Sequence, residues 1–153
     1  MKPLHIIWQR LVNSTGQTCN RCGGTYEALQ SAVAKLKVAL PPLGLKPVLE
    51  TREIDEKSFK GNPSESNRIW IEGSPMEEWL GATVGASRCC SVCGESECRT
   101  IEVRGTVFET VPEDLILKAA LVAAARALAP AAERPSCREG PDSPKLNCCA
   151  QSR

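Results

Sequence analysis

Apolar residues in this chain fall into short dense runs and into longer stretches spaced by three and four. The first run, Leu4-His5-Ile6-Ile7-Trp8, continues to Leu11 and Val12. It is rich in β-branched and aromatic side chains and apolar on both faces at first, which predicts an interior strand. Asn13-Ser14-Thr15-Gly16 follows as a turn. Tyr26, Leu29, Val33, Leu36 and Leu40 then recur at helical spacing with Gln30, Lys35 and Lys37 between them, predicting an amphipathic helix over residues 24–40 stopped by Pro41-Pro42. Residues 44–47 form a turn, residues 48–54 alternate like a strand with one exposed face, and residues 55–59 add a short helical turn. A third strand is expected over 68–73 and a helical or irregular piece over 76–80. Residues 100–111 read as a hairpin turning at Arg104-Gly105. Pro112 takes the first position of a last helix whose packing face is Leu115, Ala119, Val122, Ala123 and Leu128. From residue 130 the composition changes to Pro, Ser, Gly and charges, so residues 130–153 are expected to be a flexible tail that carries Cys137, Cys148 and Cys149.

A length of 153 residues suits one domain with an ordinary core, and a net charge of +1 gives no reason to invoke nucleic acid or an anionic membrane. The most apolar stretch, residues 115–128, contains Lys118 and Arg126 and is too short to span a bilayer. Gln9 and Arg10 interrupt the N-terminal apolar run and no small-residue cleavage site follows, so no secretory signal is expected and a cytoplasmic location is. There the nine cysteines, an odd number, stay reduced, and metal binding or redox work is favoured over a disulfide framework.

The candidate chemistry centres on Cys19-Asn20-Arg21-Cys22-Gly23, at the junction of the first strand and the first helix. A thiolate there sits near the positive end of the helix dipole and next to Arg21, and both lower a cysteine pKa. A second cluster, Cys89, Cys90, Cys93 and Cys98, contains another such turn, Cys90-Ser91-Val92-Cys93-Gly94. In each turn backbone N–H groups can point at sulfur while the glycine relieves crowding, and two such turns supply the four thiolates of a zinc site. The vicinal Cys89-Cys90 adds ligands suited to soft ions: mercury, arsenic(III), copper(I) or an iron–sulfur cluster. The bland alternatives are a structural zinc loop for the second cluster and solvated surface for Glu77, Glu78, Glu95 and Glu97. The single histidine, His5, reads as structural or solvent-facing, and Trp8, Trp70 and Trp79 as core or rim packing. No Ser/His/Asp arrangement or phosphate loop is present, so no nucleotide cofactor is expected.

The order strand, Cys19-x-x-Cys22, helix, strand, third strand, hairpin and final helix resembles the thioredoxin fold. More closely, Ile7-Trp8-Gln9-Arg10-Leu11, the Cys19 pair, Ser66-Asn67-Arg68-Ile69-Trp70-Ile71 and the run from Cys89 to Cys98 resemble a prokaryotic thioredoxin-like family of unknown function. The resemblance covers residues 3–129 and implies an α/β domain with a mixed sheet, flanking helices and a Cys-rich insertion at 81–99. Thioredoxins place a cis-proline before the third strand, against the CxxC, where it shields the thiols from metals. Asn67 matches that position here, which leaves the pair more open to an ion.

The leading expectation is therefore binding of a thiophilic metal or metalloid through Cys19 and Cys22 together with Cys89, Cys90, Cys93 and Cys98. The enzymatic rival is a thiol-disulfide oxidoreductase with Cys19 and Cys22 as its catalytic pair, acting on a thiol or disulfide partner protein. A zinc-stabilised interaction module is the third reading.

Overall fold

The computed structural model describes residues 1–89 and 91–129. Cys90 and residues 130–153, with Cys137, Cys148 and Cys149, lie outside the described residues. Strand β1 (Lys2–Leu11) leads into helix α1 (Asn20–Ala39), and the chain returns as β2 (Leu45–Ile54), parallel to β1. The short helix α2 (Glu56–Gly61), capped by Asp55 through its bond from the Ser58 N–H, precedes β3 (Arg68–Ile71), which runs antiparallel to β1. The two-residue strand β4 (Ser74–Pro75) completes a four-stranded mixed sheet of order β2-β1-β3-β4. Helix α3 (Met76–Leu80) then leads to β5 (Thr83–Arg88), β6 (Glu97–Val103) and β7 (Thr106–Phe108), which form a second, antiparallel sheet of three strands, and α4 (Glu113–Leu128) ends the described chain. The architecture is α/β. No helix of the described residues is long and apolar enough to cross a membrane.

β1 is interior, as its composition requires, yet only one of its faces is closed. Leu4, Ile6 and Trp8 are buried, whereas His5 is exposed and Ile7 half-buried. The physical reason is that α1 and α4 pack against each other over the same sheet face, joined by a Lys35–Glu113 ion pair at 2.6 Å. Leu29, Val33 and Leu36 of α1 meet Ile116, Ala119, Ala120 and Ala123 of α4 in one core with Ile69 and Ile71. The phase of α4 differs from the expected one. Val122 and Leu128 are each 44 % exposed, and Ile116, Ala120 and Ala124 take their place. In an alanine-rich helix several faces are smooth enough to pack, so the neighbour chooses the face.

Other departures are local. Helix α1 begins at Asn20, which makes Cys19 its N-cap and places Cys22 in its first turn, and Pro112 is the N-cap of α4, outside it. β2 begins directly after Gly44 and includes Pro47, tolerated because β2 lies at the sheet edge. The hairpin turns at Arg104 and Gly105, both with positive φ, as its sequence dictates. Its first arm reaches back to Glu97, into the Cys-rich segment, and pairs with β5. Glu77 is not solvated surface: its carboxylate pairs with the buried Arg99, while Glu78 is exposed.

Candidate metal centre

Cys19 is the N-cap of α1. Its backbone is extended (φ −76°, ψ 162°), and its Sγ accepts the Cys22 N–H at 3.5 Å, the position an Asp or Ser oxygen takes in most helices. The expectation that an N–H would point at sulfur is met in this turn. The glycine that relieves crowding is Gly24 and not Gly23. A Cβ on Gly24 would stand 2.9 Å from Thr110 Cγ2, whereas Gly23 has nothing within 4 Å. One turn further, Thr25 Oγ1 accepts the Val111 N–H at 3.0 Å and fastens α1 to the segment before α4.

The second sheet delivers the remaining thiols. Cys89 follows β5, Cys93 closes a single turn of 3₁₀ helix over Ser91–Cys93, and Cys98 lies in β6 opposite Ser87. Cys19, Cys89 and Cys93 bring their sulfurs within 4.8 Å of one another. Cys98 is a neighbour of the same group, whose members Cys19, Cys93 and Cys89 all act to raise its thiol pKa. Cys22 turns from that group toward Ser66, whose Oγ is 3.5 Å from its sulfur and accepts the Leu11 N–H at 2.9 Å. Cys19, Cys22, Cys93 and Cys98 are all buried, and among the described residues no disulfide is formed.

Hydrogen bonds among these sulfurs separate their acidities. The thiols of Cys22 and Cys98 donate to Cys19 and hold its pKa far below the ordinary thiol value. Cys22 and Cys98 are pushed up in return, first because each gives its hydrogen to Cys19 and then by burial. Burial also raises Cys93. Of Cys19, Cys22, Cys93 and Cys98, only Cys19, at the helix N-terminus, is shifted toward the thiolate, the form in which sulfur attacks disulfides and binds metals.

The Arg21 guanidinium reaches across to the second sheet, donating to Ser87 Oγ at 2.9 Å and to Glu109 Oε1 at 2.7 Å, and to the carbonyl of Arg88. Ser87 Oγ in turn donates to Glu109 at 3.0 Å. Asn67 has φ 57° and accepts the Trp8 indole N–H at 3.2 Å, so it orders the base of the site while the neighbouring Ser66 touches the thiol. The roles of Ser66, Ser87 and Glu109 carry no sequence signal, since a serine or glutamate between strands has no pattern that marks its partner. Beside the group a cleft of about 370 Å³ is lined by Cys93, Val92, Gln17, Phe59 and Lys60.

The chain matches, over residues 4–120, a family described as a domain of unknown function (DUF2703), a span that contains all five described cysteines. It is 42 % identical over 113 residues to an uncharacterized protein of Archaeoglobus fulgidus, an alignment that covers 74 % of this chain and 82 % of the relative. No solved structure matches. The chain belongs to the DUF2703 family.

Proposed function

We propose that this DUF2703 protein binds a thiophilic metal or metalloid ion, with Cys19, Cys89 and Cys93 as its first ligands. The observation that carries the reading is the convergence of those three sulfurs, from a helix N-cap and a distant loop, to within 4.8 Å, with Cys19 and Cys93 buried and Cys89 half-buried. Around a zinc ion thiolate sulfurs stand roughly 3.8 Å apart, so a small closure of the loop completes the site. An all-sulfur donor set selects soft ions over Mg²⁺ and Ca²⁺. Cys98 is placed to add a fourth sulfur or to donate its S–H to a ligand. The cleft at Cys93 supplies an entry path.

The mixed sheet flanked by helices, with a Cys-x-x-Cys at the N-terminus of α1, agrees with what the thioredoxin-like resemblance implies. A thiol-disulfide oxidoreductase is the second reading. The lowered pKa of Cys19 beside the protonated Cys22 favours it.

The test is titration of anaerobically reduced protein with cadmium(II), followed by its thiolate absorption, alongside elemental analysis of the protein as purified. One ion per chain is expected, with uptake lost in Cys19→Ser and Cys93→Ser. Uptake undiminished in Cys19→Ser would move the site wholly into the loop and leave the oxidoreductase reading in the lead.

A further inference from the structure

Cys22 is the buried thiol that the ion site leaves unused. It lies one helical turn from Cys19 and its N–H donates to the Cys19 sulfur at 3.5 Å, yet it is outside the group formed by Cys19, Cys89 and Cys93. Cys19 therefore belongs to two groupings, with Cys22 along α1 and with Cys89 and Cys93 across the fold. One sulfur cannot be a thiolate ligand and a disulfide partner at the same time.

We propose that Cys19 and Cys22 form a redox gate on the ion site: their oxidation by a disulfide-bearing oxidant withdraws Cys19 from the three-sulfur group and releases the ion, and a bound ion holds the pair reduced. The gate rests on the ion-binding reading above. In the first step Cys19 thiolate attacks one sulfur of R–S–S–R, forming a mixed disulfide and expelling one thiolate. Cys22 then attacks the Cys19 sulfur, closing the Cys19–Cys22 bond and expelling the second. Two electrons pass from the pair to the oxidant, and the Cys22 proton goes to a departing thiolate. The oxidant would approach through the cleft of about 370 Å³ that opens at Cys93, a member of the same three-sulfur group, and at Gln17, two residues before Cys19. That volume accommodates a small disulfide.

Cadmium(II)-loaded reduced protein treated anaerobically with oxidised glutathione tests the gate. Released cadmium is read with a chelating indicator, and disulfides are mapped by mass spectrometry after alkylation. One cadmium is expected to leave for each Cys19–Cys22 disulfide formed. Cys22→Ser, compared with the wild type at equal cadmium loading, should release the ion at least tenfold more slowly under the same oxidant. In the wild type, each tenfold excess of free cadmium over its Kd should shift the pair tenfold toward the dithiol, about 30 mV, a measurement that needs no variant. The gate is overturned if oxidised protein keeps its cadmium, if the mapped disulfide omits Cys22, or if Cys22→Ser releases cadmium at the wild-type rate. Failure of the underlying reading looks different: reduced wild type takes up no cadmium at all, and both proposals fall together.

Discussion

Arg21 and Ser87 are joined by a 2.9 Å hydrogen bond that ties the Cys19–Cys22 turn to the strand from which Cys89 emerges. Ser87 is also the residue opposite Cys98 in the β5–β6 ladder, so one side chain sets the position of the loop thiols against the helix thiol. Glu109 completes the tie by accepting from both.

Arg21→Lys keeps the charge but cannot reach Ser87 and Glu109 together. Cadmium affinity should fall about 10- to 100-fold, the range seen when groups that orient ligands are removed. Stability should fall by about 1.5–3 kcal/mol. A chelator-competition titration and a urea unfolding curve measure the two effects, and an affinity unchanged by the substitution would show that the loop holds its place without Arg21.

The pH dependence of the metal-free, reduced protein follows from the raised thiols. Cys22, Cys93 and Cys98 keep their protons in the folded state above their ordinary value of 9.0, where the unfolded chain loses them. The folded state then binds more protons, and the stability present below pH 9.0 is lost as the pH rises, by up to about 1.4 kcal/mol per pH unit for each thiol. Cys19 acts in the opposite sense, since its lowered pKa contributes stability above pH 9.0 that declines as the pH falls. The thiol contribution should therefore peak near pH 9.0. Urea midpoints measured from pH 7 to pH 10.5 check this, and Cys22→Ser should flatten the alkaline fall.

Asn67→Ala should cost about 2–4 kcal/mol. It strands the buried Trp8 indole N–H, for about 1–3 kcal/mol, and it places alanine at φ 57°, for about 1 kcal/mol more. Asn67→Gly removes the backbone strain and retains the loss of the hydrogen bond. Thermal unfolding of both separates the terms, and equal losses would deny any backbone contribution.

Glu77→Ala leaves Arg99 buried without its carboxylate, with only Ser64 still accepting from its guanidinium. Breaking a buried pair on one side costs about 3–5 kcal/mol. Because α3 carries Glu77 and β6 carries Arg99, the loss should also loosen the second sheet against the first, seen as faster hydrogen exchange at Thr100 and Ile101.

What the sequence determined by itself is what neighbours in the chain can decide. The apolar run of β1, the spacing of Leu29, Val33 and Leu36, and the Arg104-Gly105 turn are local preferences that the fold leaves intact. So is the placement of Cys19 at the junction of strand and helix. Membership of a family of unknown function, expected from residues 7–11, the Cys19 pair, residues 66–71 and the run from Cys89 to Cys98, also holds. The tertiary structure alone decided which thiols meet. Cys19 and Cys22 are three residues apart in sequence, yet only Cys19 joins Cys89 and Cys93, because an N-cap side chain projects beyond the helix end while Cys22, inside the first turn, faces Ser66. The buried face of α4 was decided the same way, by the face that α1 offered it. Likewise Arg21 reads as a charge beside a thiol until β5 is docked, and only then becomes the tie that brings two distant cysteine clusters to one place.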